Sequence, residues 1–214
     1  MRPSELPELE PYPALQHLVA RQIDMQFADL TTMLRLPQKQ IGLDGGCNFA
    51  AARLCFDLMA GASVLFYDAS IEALHERGRR GQRFKTLVAT FYPWLPGPDD
   101  AVGEEAARLL YDWARNPLAH ALGVVGPAAT GATDPVPIFF ASKDALEPDQ
   151  IAEIEEPRIR PRWLDPTIRH AGGNIYTLFV PSLVWGIHRM LENVFADVTQ
   201  AERADATARE LLGD

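Results

Sequence analysis

Gly46-Cys-Asn-Phe-Ala-Ala-Ala-Arg-Leu-Cys-Phe-Asp-Leu-Met-Ala-Gly-Ala-Ser-Val-Leu-Phe-Tyr67 is apolar on almost every side. A helix of that character has no solvent face to offer, and it belongs at the centre of a bundle. Its charges, Arg53 and Asp57, stand four apart and are spaced to pair along one side. The stretch follows the turn-rich Ile41-Gly-Leu-Asp-Gly-Gly46, where Asp44 is placed to cap it.

Helices to surround that centre are legible on both sides. Across residues 14–36, Leu15, Leu18, Val19, Ile23, Phe27, Leu30 and Leu34 keep helical spacing, and Pro37 ends the run. Residues 82–94 place Phe84, Leu87, Val88 and Phe91 on one face. A helix from residue 99 or 100 to about 113 carries acids in its first turn, where the helix dipole favours them. Its apolar face is Ala106, Leu110, Trp113 and Pro117. A last long helix is expected over 174–198, kinked at Pro181. Its stripe is Phe179, Leu183, Trp185, Ile187, Met190, Leu191, Val194 and Phe195.

The remaining segments read as links. Residues 1–13 are expected to be a flexible lead-in and 199–214 a polar helical tail. Short helical turns are expected at 70–78 and 149–155, a loop at 126–137, and no more than an edge strand at 135–140. Residues 158–173 read as an irregular excursion. The prediction is therefore an all-α fold: one domain, a helical bundle of four to five core helices with short irregular insertions, its core at about 41–198.

Composition narrows the function. The chain has 214 residues, 47% of them hydrophobic, and a net charge of −9. That charge disfavours a general nucleic-acid coat, because phosphate binding needs Lys and Arg. The distribution matters more than the sum. Arg77, Arg79, Arg80, Arg83 and Lys85 form a basic cluster with no acid inside it, and Arg158, Arg160, Arg162 and Arg169 form a second. Each reads as a solvated face or as a phosphate-binding rim.

Cys47 and Cys55 lie eight apart on one helix, too far to bridge, and read as reduced thiols. Neither they nor the five His offer zinc spacing, and no cofactor or metal is expected. His188 and Glu192 share a helix face, but two ligands do not make a metal site. His17, His75 and His170 read as surface or capping residues. The apolar run 175–187 contains Pro181 and is too short to span a bilayer. With no leader visible at the N-terminus, the expected compartment is the cytoplasm, without a membrane partner.

The stretch Tyr111-Asp-Trp-Ala-Arg-Asn-Pro-Leu-Ala-His-Ala-Leu-Gly123 carries the chemistry. Arg115 and Asn116 are followed by three residues and His120. A guanidinium offers a planar fork of donors to phosphate oxygens and keeps its charge. An imidazole titrates near neutral pH and serves as base or acid. Asn116 is suited to orient either the phosphate or the His. Tyr111, one turn before Arg115, is a candidate to stack a base, with core packing as the alternative. Arg79, Arg80 and Arg83 are candidates to hold substrate.

The pattern Arg-Asn-x-x-x-His resembles the signature of the HEPN superfamily (higher eukaryotes and prokaryotes nucleotide-binding domains). The resemblance in residues covers 111–123, and loosely the helices between 41 and 198. It implies a metal-independent RNase acting as a homodimer, with Arg115 and His120 of both protomers sharing one cleft. RNA is the implied substrate, and because many members act in toxin–antitoxin systems, an antitoxin protein is an implied possible partner. Some members carry a Tyr two residues after the His as a target for adenylylation; here that position is Leu122, which removes the acceptor. The alternative is a helical module of the same fold that binds RNA, a nucleotide or a protein without turnover. A third reading is a structural bundle in which the Arg–His spacing has no function, with Arg115 paired to Asp112.

One geometric tension stands. On a straight α-helix, positions five apart diverge by about 140°. Arg115 and His120 then face different ways. Either Asn116 caps a new helix beginning at Pro117, or a continuous helix is kinked there.

Overall fold

The computed structural model describes residues 2–36, 47–66, 79–94, 101–116, 138–141, 166–170 and 173–213. The expected Asp44 cap, the turns at 70–78 and 149–155 and the loop at 126–137 lie outside them. The chain is an all-α helical bundle. Among the described residues it has six helical rods.

The first rod runs from α1 (Pro13–Leu18) through a π-helical segment (Val19–Ile23) into α2 (Asp24–Arg35). The second is α3 (Asn48–Phe66), the stretch that is apolar all round. It packs against α2 and against α4 (Arg79–Phe91), and so occupies the centre as its composition requires. The fourth rod is α5 (Ala101–Leu109), which continues as a second π-helical segment (Leu110–Arg115). The last two, α6 (Val180–Phe195) and α7 (Val198–Leu212), also reach α3. Arg53 and Asp57 lie 3.9 Å apart on its exposed side. A pair that exposed adds little stability.

α3 also corrects the search for a membrane span. By length and composition it is long and apolar enough to cross a bilayer, which residues 175–187 are not. The centre of a bundle needs the same composition, and 56% of its most apolar window is buried among the surrounding helices.

Three further differences have physical causes. The lead-in is pinned: Pro3–Glu5 and Pro7–Leu9 form 3₁₀ turns, and Pro3 and Leu9 are buried. The polar tail is a sixth core rod, because Ala201, Ala204 and Ala208 let α7 lie against α1 and α3. These small side chains carry little apolar signal, so the stripe was hidden among charges. Asp205 stands between them, 4% exposed. Its Oδ1 accepts from the backbone N–H groups of Ala14 and Leu15 at 3.0 Å each. Helix α1 begins at Pro13 with no cap from its own preceding residue, and a carboxylate from the far end of the chain replaces one. Arg209 holds the other oxygen at 2.6 Å.

The expected final helix starts six residues late. Gly173–Phe179 is strand β3, as Ile175, Tyr176 and Thr177 favour. Pro181 then falls in the first turn of α6, where its missing N–H costs nothing, and no kink is needed. β3 is the middle strand of a small sheet ordered β1-β3-β2, with β1 at Ile138–Ala141 and β2 at Pro166–His170. β1 runs parallel to β3 at the sheet edge, as its Pro-marked sequence anticipates, and β2 runs antiparallel. β2 lies within the segment read as irregular.

Candidate functional site

α4 packs against α3 on one side and against the α5 rod and its π-helical end on another. Between them lies a half-open cavity of about 340 Å³. α3 supplies a wall of Ala60, Gly61, Ser63 and Val64, mostly small residues. α4 supplies Arg80, Arg83 and Phe84, which share one face at helical spacing. The π-helical segment supplies Tyr111 and Arg115. Four residues singled out from sequence (Tyr111, Arg115, Arg80 and Arg83) therefore border one cavity, and the first basic cluster reaches the motif.

The π-helical segment carries Tyr111 and Arg115 to it. Asn116 donates its backbone N–H to the carbonyl of Tyr111, five residues back, so the turn is wider than in an α-helix. Pro117 has no N–H to offer the preceding turn, and a widened turn is one way a helix accommodates that loss. Asn116 itself is helical, with φ −64° and ψ −47°. It does not begin a new helix as a cap. The helix is continuous, though locally widened, up to residue 116, and the break expected at Pro117 lies outside the described residues. His120 lies outside the described residues, as do Arg77, Leu122 and most of the second basic cluster. Arg79 opens α4 and Arg169 lies in β2, and their side chains also lie outside what is described.

Arg115 is held in place and pairs with no carboxylate among the described residues. Its Nη1 donates to Asn116 Oδ1 at 3.0 Å. Its guanidinium carbon stands 5.6 Å from the centre of the Tyr111 ring, within cation–π range. Its Nε is buried with no hydrogen-bond acceptor among the described residues. Asp112, a possible partner by sequence, instead binds Lys85 Nζ at 3.1 Å. Arg83 is only 3% exposed, which places a permanent charge in the wall of the cavity.

Tyr111 is fixed from several sides. Its ring lies 5.3 Å from that of Phe84, and Lys85 Nζ is 5.1 Å from its centre. Gly81 passes beneath it so closely that a Cβ there meets the ring at 2.9 Å. Packing is thus a main task of Tyr111, and it leaves the side chain as a wall of the cavity. Gly81 and the small residues of α3 were missed from sequence. A glycine inside a helical pattern, costly for the helix, was the available signal of close approach.

Other candidates resolve simply. His188 Nδ1 is 3.4 Å from Glu192 Oε1, and Arg189 reaches the same carboxylate at 2.5 Å. No group of three or more metal-ligating side chains occurs among the described residues. Cys55 is fully buried, and desolvation pushes its thiol far above the ordinary range, so it stays protonated and unreactive.

No family model matches the chain, no curated protein is similar to it, and no solved structure matches it.

Proposed function

We propose that the chain is a HEPN-like, metal-independent endoribonuclease that works as a cytoplasmic homodimer. The observation that carries this reading is the state of Arg115. It lies beside two further guanidiniums, is oriented by Asn116, and is paired with no carboxylate among the described residues. Such a group is preorganised for an anion whose charge grows during reaction.

In the proposed reaction the 2′-oxygen of one nucleotide attacks the adjacent phosphorus. The 2′-O–P bond forms, the P–O5′ bond breaks, and the products are a 2′,3′-cyclic phosphate and a 5′-hydroxyl. One His120 removes the 2′-hydroxyl proton, and the partner's equivalent imidazole protonates the leaving oxygen. Arg115 stabilises the pentacoordinate phosphate. A two-fold dimer supplies both imidazoles from a chain with one motif His.

The test is labelled single-stranded RNA incubated with the protein in EDTA. Cleavage is expected from the wild type. Arg115→Met and His120→Ala are each expected to lower it by on the order of 100-fold or more with folding retained. The second reading, binding without turnover, is favoured by the cavity itself, which offers cations and an aromatic wall. Retention of RNA by a wild type that never cleaves it selects that reading.

A further inference from the structure

We infer that Tyr111 is a positioning residue for Arg115, and that the absence of a side chain at Gly81 is what allows its ring to take up that task. The inference deepens the nuclease reading, on which it rests for the role of Arg115, by naming what aims the guanidinium.

An arginine has several rotatable bonds, and its fork of donors selects one orientation of an anion only when the fork itself is fixed. Among the described residues, two contacts fix it, and both come from its own segment. Nη1 donates to Asn116 Oδ1 at 3.0 Å, which holds one corner. The Tyr111 ring, its centre 5.6 Å from Cζ, holds the plane. A cation–π contact contributes little to the stability of a fold, so its loss frees the side chain without unfolding the bundle.

The ring is in turn confined by α4. Phe84 lies 5.3 Å away at a tilt of 53°. Lys85 Nζ stands 5.1 Å from the ring centre and is anchored by Asp112, 3.1 Å away and next to Tyr111 in the chain. At Gly81 there is no room for one more carbon: a Cβ there lies 2.9 Å from Cε1, 3.0 Å from Cζ and 3.1 Å from Oη of the tyrosine. Alanine is the better helix former, so α4 forgoes helix stability at this position. Any larger residue at 81 forces the ring to turn, because Phe84 and Lys85 are already beside it, and the turned ring no longer holds the guanidinium.

The test reads Arg115 directly. Its Nε is buried, which shields the Nε–Hε group from exchange with water. In a ¹⁵N correlation spectrum of the full chain, the Nε–Hε signal that disappears in Arg115→Met is expected to be displaced by the ring current of Tyr111. Tyr111→Phe keeps that displacement. Tyr111→Leu and Gly81→Ala each move the signal toward its ordinary position, with Gly81→Ala adding nothing in the Tyr111→Leu background. Thermal melts confirm that each variant is folded. In RNA cleavage, Gly81→Ala and Tyr111→Leu are each expected to lower kcat by about tenfold with KM little changed, while Tyr111→Phe keeps both. A signal unmoved by Gly81→Ala, or moved equally without the Tyr111 ring, overturns the inference. So does a moved signal with unchanged kcat, which leaves the nuclease reading intact. A wild type that never cleaves RNA removes the nuclease reading instead, and the spectrum then decides the inference by itself.

Discussion

Asp205 and Arg115 are both charged side chains drawn toward the interior, and the protein treats them in opposite ways. Asp205 joins the two ends of the chain and is fully engaged: two backbone N–H groups on one oxygen and Arg209 on the other. Arg115 has a hydrogen bond to its neighbour, a stacked ring and a buried Nε without an acceptor. A burial cost that is compensated marks a structural part, whereas one left open marks a place where a ligand completes the set. On the proposed reading, function belongs to the α4–α5 face and stability to the α1–α7 clasp.

That contrast makes predictions that differ in kind. The largest effect belongs to Arg115→Met. RNA cleavage falls by on the order of 100-fold, equivalent to about 2.7 kcal/mol, while the melting temperature barely moves. The lost cation–π contact is worth only about 0.5–1 kcal/mol. Asp205→Ala is expected to do the reverse. It leaves two amides of α1 without their acceptor and lowers stability by about 1–3 kcal/mol in urea unfolding, with RNA cleavage per folded molecule unchanged. If Asp205→Ala impairs cleavage as much as Arg115→Met does, the two regions are not separable and the contrast fails.

Much of the bundle was legible because its signal is periodic. Leu15, Leu30, Phe84, Val88, Leu183 and Ile187 sit where 3.6-residue spacing puts them. The parts that were not legible depend on long-range partners or on small side chains. Nothing near Pro13 announces that Asp205, some 190 residues away, caps its helix. The alanines of α7 become a packing face only once α1 is against them. At the site, the chemical identity of Arg115, Tyr111 and the α4 cluster was readable, and so was the difficulty of placing the motif on a straight helix. The π-helical segment that widens the turn was not, since it depends on backbone bonding rather than side-chain pattern.

A smaller effect separates the core from both regions. Cys55 and Tyr92 are fully buried, and desolvation, the dominant cause, raises both pKa values. In the unfolded chain they ionise near their ordinary values, 9.0 and 10.0. Below those values their contribution to stability is fully present. As pH rises beyond them, the unfolded chain loses protons that the folded one keeps, and stability falls. Unfolding midpoints are therefore expected to decline above about pH 9, and Cys55→Ala is expected to flatten the onset of that decline relative to wild type.

Mass spectrometry of the RNA fragments formed in EDTA bears most directly on the central claim. Attack by the RNA's own 2′-oxygen predicts upstream fragments ending in a 2′,3′-cyclic phosphate, absent when the nucleotide before the cleaved bond is 2′-deoxy. Fragments ending in a free 3′-hydroxyl, or intact RNA after prolonged incubation with folded protein, contradict it.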